Sequence, residues 1–320
     1  MNYPTTPYLH KAGSGPAPAK ASPAQAQGGK LRAEKLGLGT SQLGLDQPSS
    51  SYRGRSPERE SAEILSIAAR AGIEVLDAQV SFGQAETTIG RIMPRPCPFK
   101  VMIKTGRCDR GADFVEDEAR AALKRLRLDK ADAIMVQSAG DLFGVHGQSV
   151  WDRLKLLRDE GLFRAIGVSC FASDDPVGLA RRFKPDIVQA PVSLLDQRLI
   201  VNGALAEIAG LGVEVHLRSI FLQGLLFLPP DRMPTALKGA SGPLSRVRRM
   251  IAEGRSDPLQ AALGFALSRP EAASVIVGVA SAAELQAVIA AAASPPPDLD
   301  WDEMALEDPA PLADNGWAAA

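Results

Sequence analysis

Residues 61–86, SAEILSIAARAGIEVLDAQVSFGQAE, contain a helical pattern followed directly by a strand pattern. Apolar residues recur at helical spacing from Ile64 to Ala68, and Gly72 is typical of a helix C-terminus. The next apolar run, Glu74–Asp77, is short and ends on a carboxylate, as a buried strand of a parallel sheet would. These residues therefore predict one helix–strand unit of an α/β fold.

The same alternation recurs along the chain. A second helical pattern, VWDRLKLLRDEGL, places Val150, Leu154 and Leu157 on one face. Eight alternations with a period of roughly 25–45 residues favour a closed (β/α)8 TIM barrel over an open sheet. The predicted strands are Lys35–Gly39, Glu74–Asp77, Lys100–Lys104, Ala133–Gln137, Ala165–Ser169, Ile187–Ala190, Val213–Leu217 and Val275–Gly278.

Composition and charge exclude several functional classes. A net charge of −1 gives no basic field for nucleic acid or an anionic membrane. No apolar run approaches the roughly 20 residues that span a bilayer. The three cysteines lack metal-ligand spacing, so we expect no metal site and a reduced, cytoplasmic protein.

The two ends of the chain differ in composition from the middle. Residues 1–30 are rich in Ala, Pro, Gly, Ser and Gln and predict a disordered arm. The barrel is expected over residues 31–294, and residues 295–320, which begin with three prolines, are expected to form an extended tail. The terminal WAAA resembles signals read by bacterial unfoldase–protease complexes, although an uninformative end explains it equally well.

Polar side chains lie where the predicted strands end, which is the active-site face of an α/β barrel. The Rossmann fingerprint is absent, because Gln42 stands where the third Gly of GLGTSQLG would fall, and there is no Walker A motif. The strand-end residues are Asp77, Lys104, Gln137, Ser169, Gln189 and Arg218.

Seven segments, in order and at the right spacing, resemble the aldo-keto reductases: GLGTSQLG, LDAQVSFG, VMIKTG, IGVSCF, DIVQAPVSLLDQR, LRSIFLQGLL and VIVGVASAAELQ. In that family an Asp, Tyr, Lys and His tetrad at the barrel mouth reduces a carbonyl with a nicotinamide hydride. The resemblance carries the tetrad onto Asp77 and Lys104, with Phe82 at the Tyr position and Gln137 at the His position.

These replacements predict severely impaired carbonyl reduction. Phe82 has no proton to give, and a general acid typically contributes ~10²–10⁴-fold. Gln137 can donate a hydrogen bond to a developing alkoxide, but its amide does not titrate. The retained Asp77 and Lys104 could equally form a structural buried pair.

Other side chains could in principle replace the missing acid. Two of the three tyrosines lie in the N-terminal arm, and Tyr52 is expected in an exposed loop. His146 is expected in a loop, His216 in the core with a satisfied hydrogen bond, and Cys170 as a buried thiol.

The cofactor side is better preserved. The resemblance implies that Ser169 and Gln189 bind the nicotinamide carboxamide, with Cys170 replacing the usual Asn. Arg218 stands where an aromatic residue commonly stacks on the ring. A guanidinium would repel the cationic oxidised ring, so we expect a preference for the reduced cofactor.

The resemblance also implies contacts to the rest of the dinucleotide. The loop from Ser219 to Leu226 is expected to clasp the pyrophosphate, and the loop after the eighth strand to meet the adenosine. No Lys or Arg occurs between Gly278 and Ala293, which favours NAD(H) over NADP(H) unless this helix has lost its nucleotide contacts altogether. The remaining cofactor-binding residues that the resemblance implies are Ser219, Leu222, Gly224, Gly278, Ala280 and Glu284.

The sequence is compatible with three functions. The chain could be a regulator that binds the cofactor without turnover, a working NAD(P)H-dependent oxidoreductase of sugar-like or small carbonyl compounds with an atypical proton path, or an interaction scaffold. The degenerate tetrad and Ala-rich chain also resemble oxidoreductase-like cell-division regulators of alphaproteobacteria. That resemblance implies the tubulin-like division protein FtsZ and a cell-cycle histidine kinase as partners.

Overall fold

The computed structural model describes residues 34–45, 55–228 and 240–307. The predicted N-terminal arm up to residue 30, Tyr52 and the WAAA end lie outside these residues. Within them, no helix is both long and apolar enough to cross a membrane.

Eight parallel strands form a closed barrel in which each strand pairs with the next and the eighth pairs with the first. All eight predicted strands are confirmed, with ends that shift by no more than three residues. The strands are β1 (Leu36–Gly39), β2 (Val75–Asp77), β3 (Lys100–Lys104), β4 (Ala131–Val136), β5 (Phe163–Ser169), β6 (Ile187–Pro191), β7 (Glu214–Arg218) and β8 (Ala272–Gly278).

Helices surround the barrel and follow the predicted patterns. Ile64, Leu65, Ile67 and Ala68 lie on the buried face of the first helix, and Gly72 has a φ of 78° just beyond its end. Val150, Leu154 and Leu157 are fully buried on one face of the fourth. The helices are α1 (Glu58–Arg70), α2 (Ala85–Ile92), α3 (Ala112–Leu126), α4 (Gly147–Asp159), α5 (Pro176–Phe183), α6 (Arg198–Val201), α7 (Ala204–Gly210), α8 (Ser241–Glu253), α9 (Pro258–Leu267) and α10 (Ala282–Ala293).

The apolar core has two parts, because successive side chains of a strand point to opposite faces. The larger part lies between the strands and the surrounding helices. A small cluster inside the barrel, which includes Met102, Ala133, Met135 and Ile187, fills the interior below the mouth. The carboxyl ends of the strands therefore carry polar side chains above an apolar floor.

The described residues that follow α10 pack against the barrel. Met304 is fully buried, and the Trp301 ring lies 5.8 Å from the Phe265 ring. The Leu306 N–H donates to the Leu195 carbonyl (3.0 Å), in the loop that follows β6. Leu306 thus lies beside the loop that follows β6, at the mouth of the barrel.

Candidate active site

Asp77, Lys104 and Gln189 form a closed hydrogen-bonded network at the barrel mouth. The Lys104 Nζ lies 2.9 Å from Asp77 Oδ2 and 2.7 Å from Gln189 Oε1. The Gln189 Nε2 donates to the same Asp77 Oδ2 at 3.3 Å. The three residues are only 4%, 6% and 0% exposed, respectively, so the ion pair lies out of bulk water. The pair of Asp77 and Lys104 was predicted from the sequence, but the hydrogen bonds of Gln189 to both residues were not.

The environment of Lys104 disfavours its charged form. Burial lowers the pKa of its ammonium, and the nearby Arg218 guanidinium lowers it further, whereas Asp77 opposes both effects. The second carboxylate oxygen of the pair, Asp77 Oδ1, is buried and has no hydrogen-bond partner among the described residues. This oxygen can accept a hydrogen bond from a ligand.

Phe82 lies on the loop between β2 and α2, in a short 3-10 turn that runs from Val80. Its ring is half-buried and packs against the core. Gly44 approaches this loop so closely that a Cβ there would lie 1.9 Å from the Phe82 carbonyl oxygen. Gly83 follows with a φ of 57°, which favours glycine. Two glycines thus fix a loop whose aromatic side chain carries no hydroxyl.

Gln137 follows the last residue of β4. Its backbone N–H donates to Thr105 Oγ1 at 3.2 Å. Its side-chain oxygen, Oε1, is buried without a partner among the described residues. The side chain therefore keeps unused hydrogen-bonding capacity, but its amide supplies no titratable proton.

The other side chains considered as proton donors do not replace the missing hydroxyl. His146 is exposed at the start of α4. His216 is fully buried two residues before the end of β7, with Nε2 at 2.8 Å from Glu214 Oε1. Its Nδ1 has no described partner, so the predicted satisfied hydrogen bond is confirmed for one nitrogen only. Burial raises the pKa of the Cys170 thiol to about 12, which makes this thiol a poor acid.

The two residues expected to meet a carboxamide lie side by side. Ser169 ends β5 and pairs in register with Gln189 on β6. The Cys170 N–H donates to the Gln189 carbonyl oxygen at 3.0 Å, which ties the loop after β5 to β6. Because Lys104 and Asp77 each use one side-chain group of Gln189, one N–H of its amide is left for a ligand.

Arg218, at the end of β7, is held by neutral groups. Its guanidinium donates to the Cys170 carbonyl at 3.0 Å and to Ser219 Oγ at 3.2 Å. The guanidinium carbon also lies 4.8 Å from the centre of the Phe171 ring. Burial lowers the pKa of Arg218, and its Nε is buried without a partner among the described residues. Within that part of the chain no carboxylate forms a salt bridge with it, so the charge is available to a ligand.

The loop after β7 has an unusual backbone. Ser219 and Leu222 have φ values of 60° and 47°, a region that costs side-chain-bearing residues energy, and Gly224 has a φ of 88°. Such strain clusters at ligand-binding loops. From α8, Arg248 donates to the carbonyl oxygens of Leu225 (3.0 Å), Leu226 (3.2 Å) and Leu228. This arginine was not predictable from the sequence, because no local pattern links a helix residue to carbonyls some 20 positions earlier.

Carboxylates bind the N–H groups at the start of α10. The Glu284 carboxylate accepts a hydrogen bond from the Ala280 N–H at 2.7 Å, and burial raises the pKa of Glu284 to about 7. The Glu60 carboxylate, from α1, accepts one from the Ala282 N–H at 2.6 Å. Glu60 was also missed by sequence analysis. The positive end of this helix is therefore already paired with acidic side chains.

Four of the ten buried polar side-chain atoms that have no partner among the described residues lie at or just after the strand ends. Buried polar groups normally have hydrogen-bond partners, so these atoms are suited to binding a polar ligand. The donor and acceptor set suits a polar organic cofactor and substrate, and the described residues contain no group of His, Cys, Asp and Glu that could hold a metal. The atoms are Asp77 Oδ1, Gln79 Oε1, Gln137 Oε1 and Arg218 Nε.

Comparison with known proteins identifies the same family as the sequence motifs. The family model described as the Aldo/keto reductase family matches residues 35–305. An aldo-keto reductase from Mycolicibacterium vanbaalenii is 32% identical over 162 residues, which cover 48% of this chain and 57% of that protein. The chain thus spans just over half the length of that relative.

Two further relatives carry more specific names. L-galactose dehydrogenase of Arabidopsis thaliana is 26% identical over 281 residues, covering 82% of this chain and 85% of that protein. NADH-specific methylglyoxal reductase of Escherichia coli is 27% identical over 217 residues, covering 60% and 65%.

Solved structures share the architecture. An aldo-keto reductase from Bacillus halodurans in its holo form has a TM-score of 0.67 at 20% identity, covering 84% of this chain and 89% of that one. A putative aldo-keto reductase from Pseudomonas aeruginosa has a TM-score of 0.62 at 21% identity, covering 81% and 89%. At these identities the likeness shows the fold alone.

Proposed function

The chain belongs to the aldo/keto reductase family, and we propose that it is a member that binds NAD(H) while its carbonyl reduction is impaired. When bound, the dinucleotide supplies a hydride to a carbonyl carbon. The proton for the carbonyl oxygen must come from the protein or from water. The observation that carries the proposal is Phe82, which brings no proton to the loop after Asp77 where the family places its acid.

The residues that would hold the nicotinamide end are those that the strands bring together. Ser169 and the free amide N–H of Gln189 would bind the carboxamide. Arg218 would lie against the ring and favour the neutral, reduced form, because its own charge has no carboxylate partner among the described residues. The strained loop that runs from Ser219 to Leu226 would close over the pyrophosphate.

The acidic start of α10 supports a preference for NAD(H) over NADP(H). A 2′-phosphate placed there would face the Glu60 and Glu284 carboxylates and would find no cation between Gly278 and Ala293. Ribose hydroxyls, in contrast, can donate hydrogen bonds to carboxylates. One relative is named as NADH-specific, which agrees with this preference.

A second candidate function is a working oxidoreductase with an atypical proton path. It is favoured by Asp77 and Lys104, two of the four tetrad residues, which stay paired in a buried network with Gln189 at the barrel mouth. Named relatives act on L-galactose and methylglyoxal, so sugar-like and small carbonyl compounds are the substrates to test first.

We also propose a regulatory role for the bound state, in which cofactor occupancy rather than turnover is the signal. Arg218 supports it, because this residue connects the loop after β5 to the expected ring site through the Cys170 carbonyl. The partners to test are FtsZ and a cell-cycle histidine kinase. Co-sedimentation with either partner that depends on NADH would support this role. Equal co-sedimentation with and without NADH would contradict it.

One experiment separates these functions. NADH is titrated with the purified protein, and NADH oxidation is then followed against a panel of aldehydes and ketones. Saturable binding with slow or no turnover supports the main proposal, and rapid turnover supports the oxidoreductase. Failure to bind NADH or NADPH would contradict both the main proposal and the oxidoreductase, and would favour an interaction scaffold.

A further inference from the structure

We propose that Lys104 is itself the proton donor for the slow carbonyl reduction that this barrel retains. The inference rests on the dinucleotide binding proposed above. It assigns to Lys104 the task that a hydroxyl at position 82 would otherwise perform.

The hydrogen bonds of Lys104 leave one of its protons unused. An ammonium carries three N–H donors. Two of them are directed to Asp77 Oδ2 and Gln189 Oε1, at 2.9 and 2.7 Å. No third acceptor lies within hydrogen-bond distance among the described residues. One N–H at the base of the mouth is therefore available to a carbonyl oxygen.

The other polar residues at the strand ends are poor acids. Gln137, Ser169 and Gln189 do not titrate in the working range, and a guanidinium such as Arg218 does not release its proton. The Cys170 thiol has a pKa of about 12, and that of Cys108 is about 11, both raised by burial. Lys104 is the one ammonium in this set.

Burial, rather than the sum of the neighbouring charges, favours proton release from Lys104. Asp77 on β2 attracts the proton, Gln189 on β6 is neutral, and Arg218 on β7 repels it. Burial has the largest effect and also lowers the pKa of Lys104. An acid with a pKa closer to the working pH transfers its proton more readily.

The chemical step is balanced without any further reagent. The two electrons arrive with the hydride at the carbonyl carbon, and the carbonyl π pair moves to oxygen. The Nζ–H bond of Lys104 breaks as the O–H bond of the alcohol forms. The resulting neutral amine of Lys104 then takes a proton from water, which restores the ammonium.

The test combines NMR of the cofactor-free protein with turnover under saturating NADH. The Nζ signal of Lys104 is followed against pH in ¹⁵N-lysine-labelled protein and assigned by its loss in Lys104→Arg. Its midpoint is expected below the ordinary 10.5. Because only the ammonium donates, the turnover rate should fall as pH rises, with a midpoint that belongs to the NADH-bound protein.

Three variants separate proton donation from charge and from folding. Lys104→Arg keeps the charge but not the acidity, and Lys104→Met removes both; each should lower turnover by ~10²-fold or more while NADH affinity stays within about threefold. Lys100→Met, on the exposed start of the same strand, should change neither quantity.

The outcomes are distinct. Retained turnover in Lys104→Arg, or a turnover rate that does not fall as pH rises, would overturn the inference. Absence of any turnover with NADH bound would also overturn it but leave the proposed NAD(H) binding intact. Absence of NADH binding would instead overturn the proposed function, on which the inference rests.

Discussion

Removal of Lys104 should destabilise the barrel by an amount set by the burial of its partner. The side chains of Lys104 and Asp77 are 5% and 6% exposed, so Lys104→Met leaves a carboxylate out of water. Its only remaining hydrogen bond among the described residues would come from Gln189 Nε2 at 3.3 Å. Breaking a buried ion pair on one side costs about 3–5 kcal/mol. That is a large part of the 5–15 kcal/mol typical of a folded domain.

Equilibrium urea unfolding, monitored by the buried Trp151, measures this cost. The double change Asp77→Asn with Lys104→Met removes both charges and should recover most of the lost stability. Lys100→Met is the matched control, because the pair of Lys100 and Glu74 is more than half exposed and is worth less than about 1 kcal/mol. If Lys104→Met cost no more than Lys100→Met, the pair would be solvated, and the argument for a lowered pKa of Lys104 would be wrong.

Three further predictions concern the cofactor side. Glu60→Gln removes a charge beside the start of α10 and should raise NADPH affinity by roughly tenfold, about 1.4 kcal/mol, whereas NADH affinity should not rise. Equal shifts in titrations of both dinucleotides would contradict this. Arg248→Met releases three loop carbonyls and should weaken NADH binding by about tenfold or more, whereas Arg246→Met, exposed on the same helix, should not. Burial raises the pKa of Glu284 from its ordinary 4.5 to about 7, so its contribution to stability is fully present below pH 4.5 and is lost as pH rises through about 7. The free energy of unfolding should therefore fall by an amount on the order of 3 kcal/mol between pH 4.5 and pH 8. Urea unfolding at these two pH values should show a smaller fall in Glu284→Gln.

The barrel was predictable because its signals are local. Helical spacing from Ile64 to Ala68, the glycine at position 72 and the short strand after it each depend on neighbours in sequence. The strand ends also located Asp77 and Lys104, since parallel strands of a barrel present their carboxyl ends at one face.

The contacts that shape the site were less accessible, because they join distant positions. Gln189 bonds Lys104 across 85 residues, and Glu60 bonds the Ala282 N–H across 222. Both depend on strand register and on barrel closure, which periodicity does not specify. In the sequence, Arg248 cannot be distinguished from an arginine on the exposed face of a helix. Its role is visible only from its contacts with the loop carbonyls.

We propose that this barrel binds NAD(H) and lacks only the polar groups at positions 82 and 137 for efficient carbonyl reduction. The most direct test compares the wild-type protein with the double variant Phe82→Tyr, Gln137→His under saturating NADH, with NADH affinity measured for both. We expect unchanged affinity and a turnover rate higher by ~10²-fold or more, because Phe82→Tyr adds a hydroxyl that can donate the proton. Equal turnover in the two proteins, with NADH bound to both, would contradict the account.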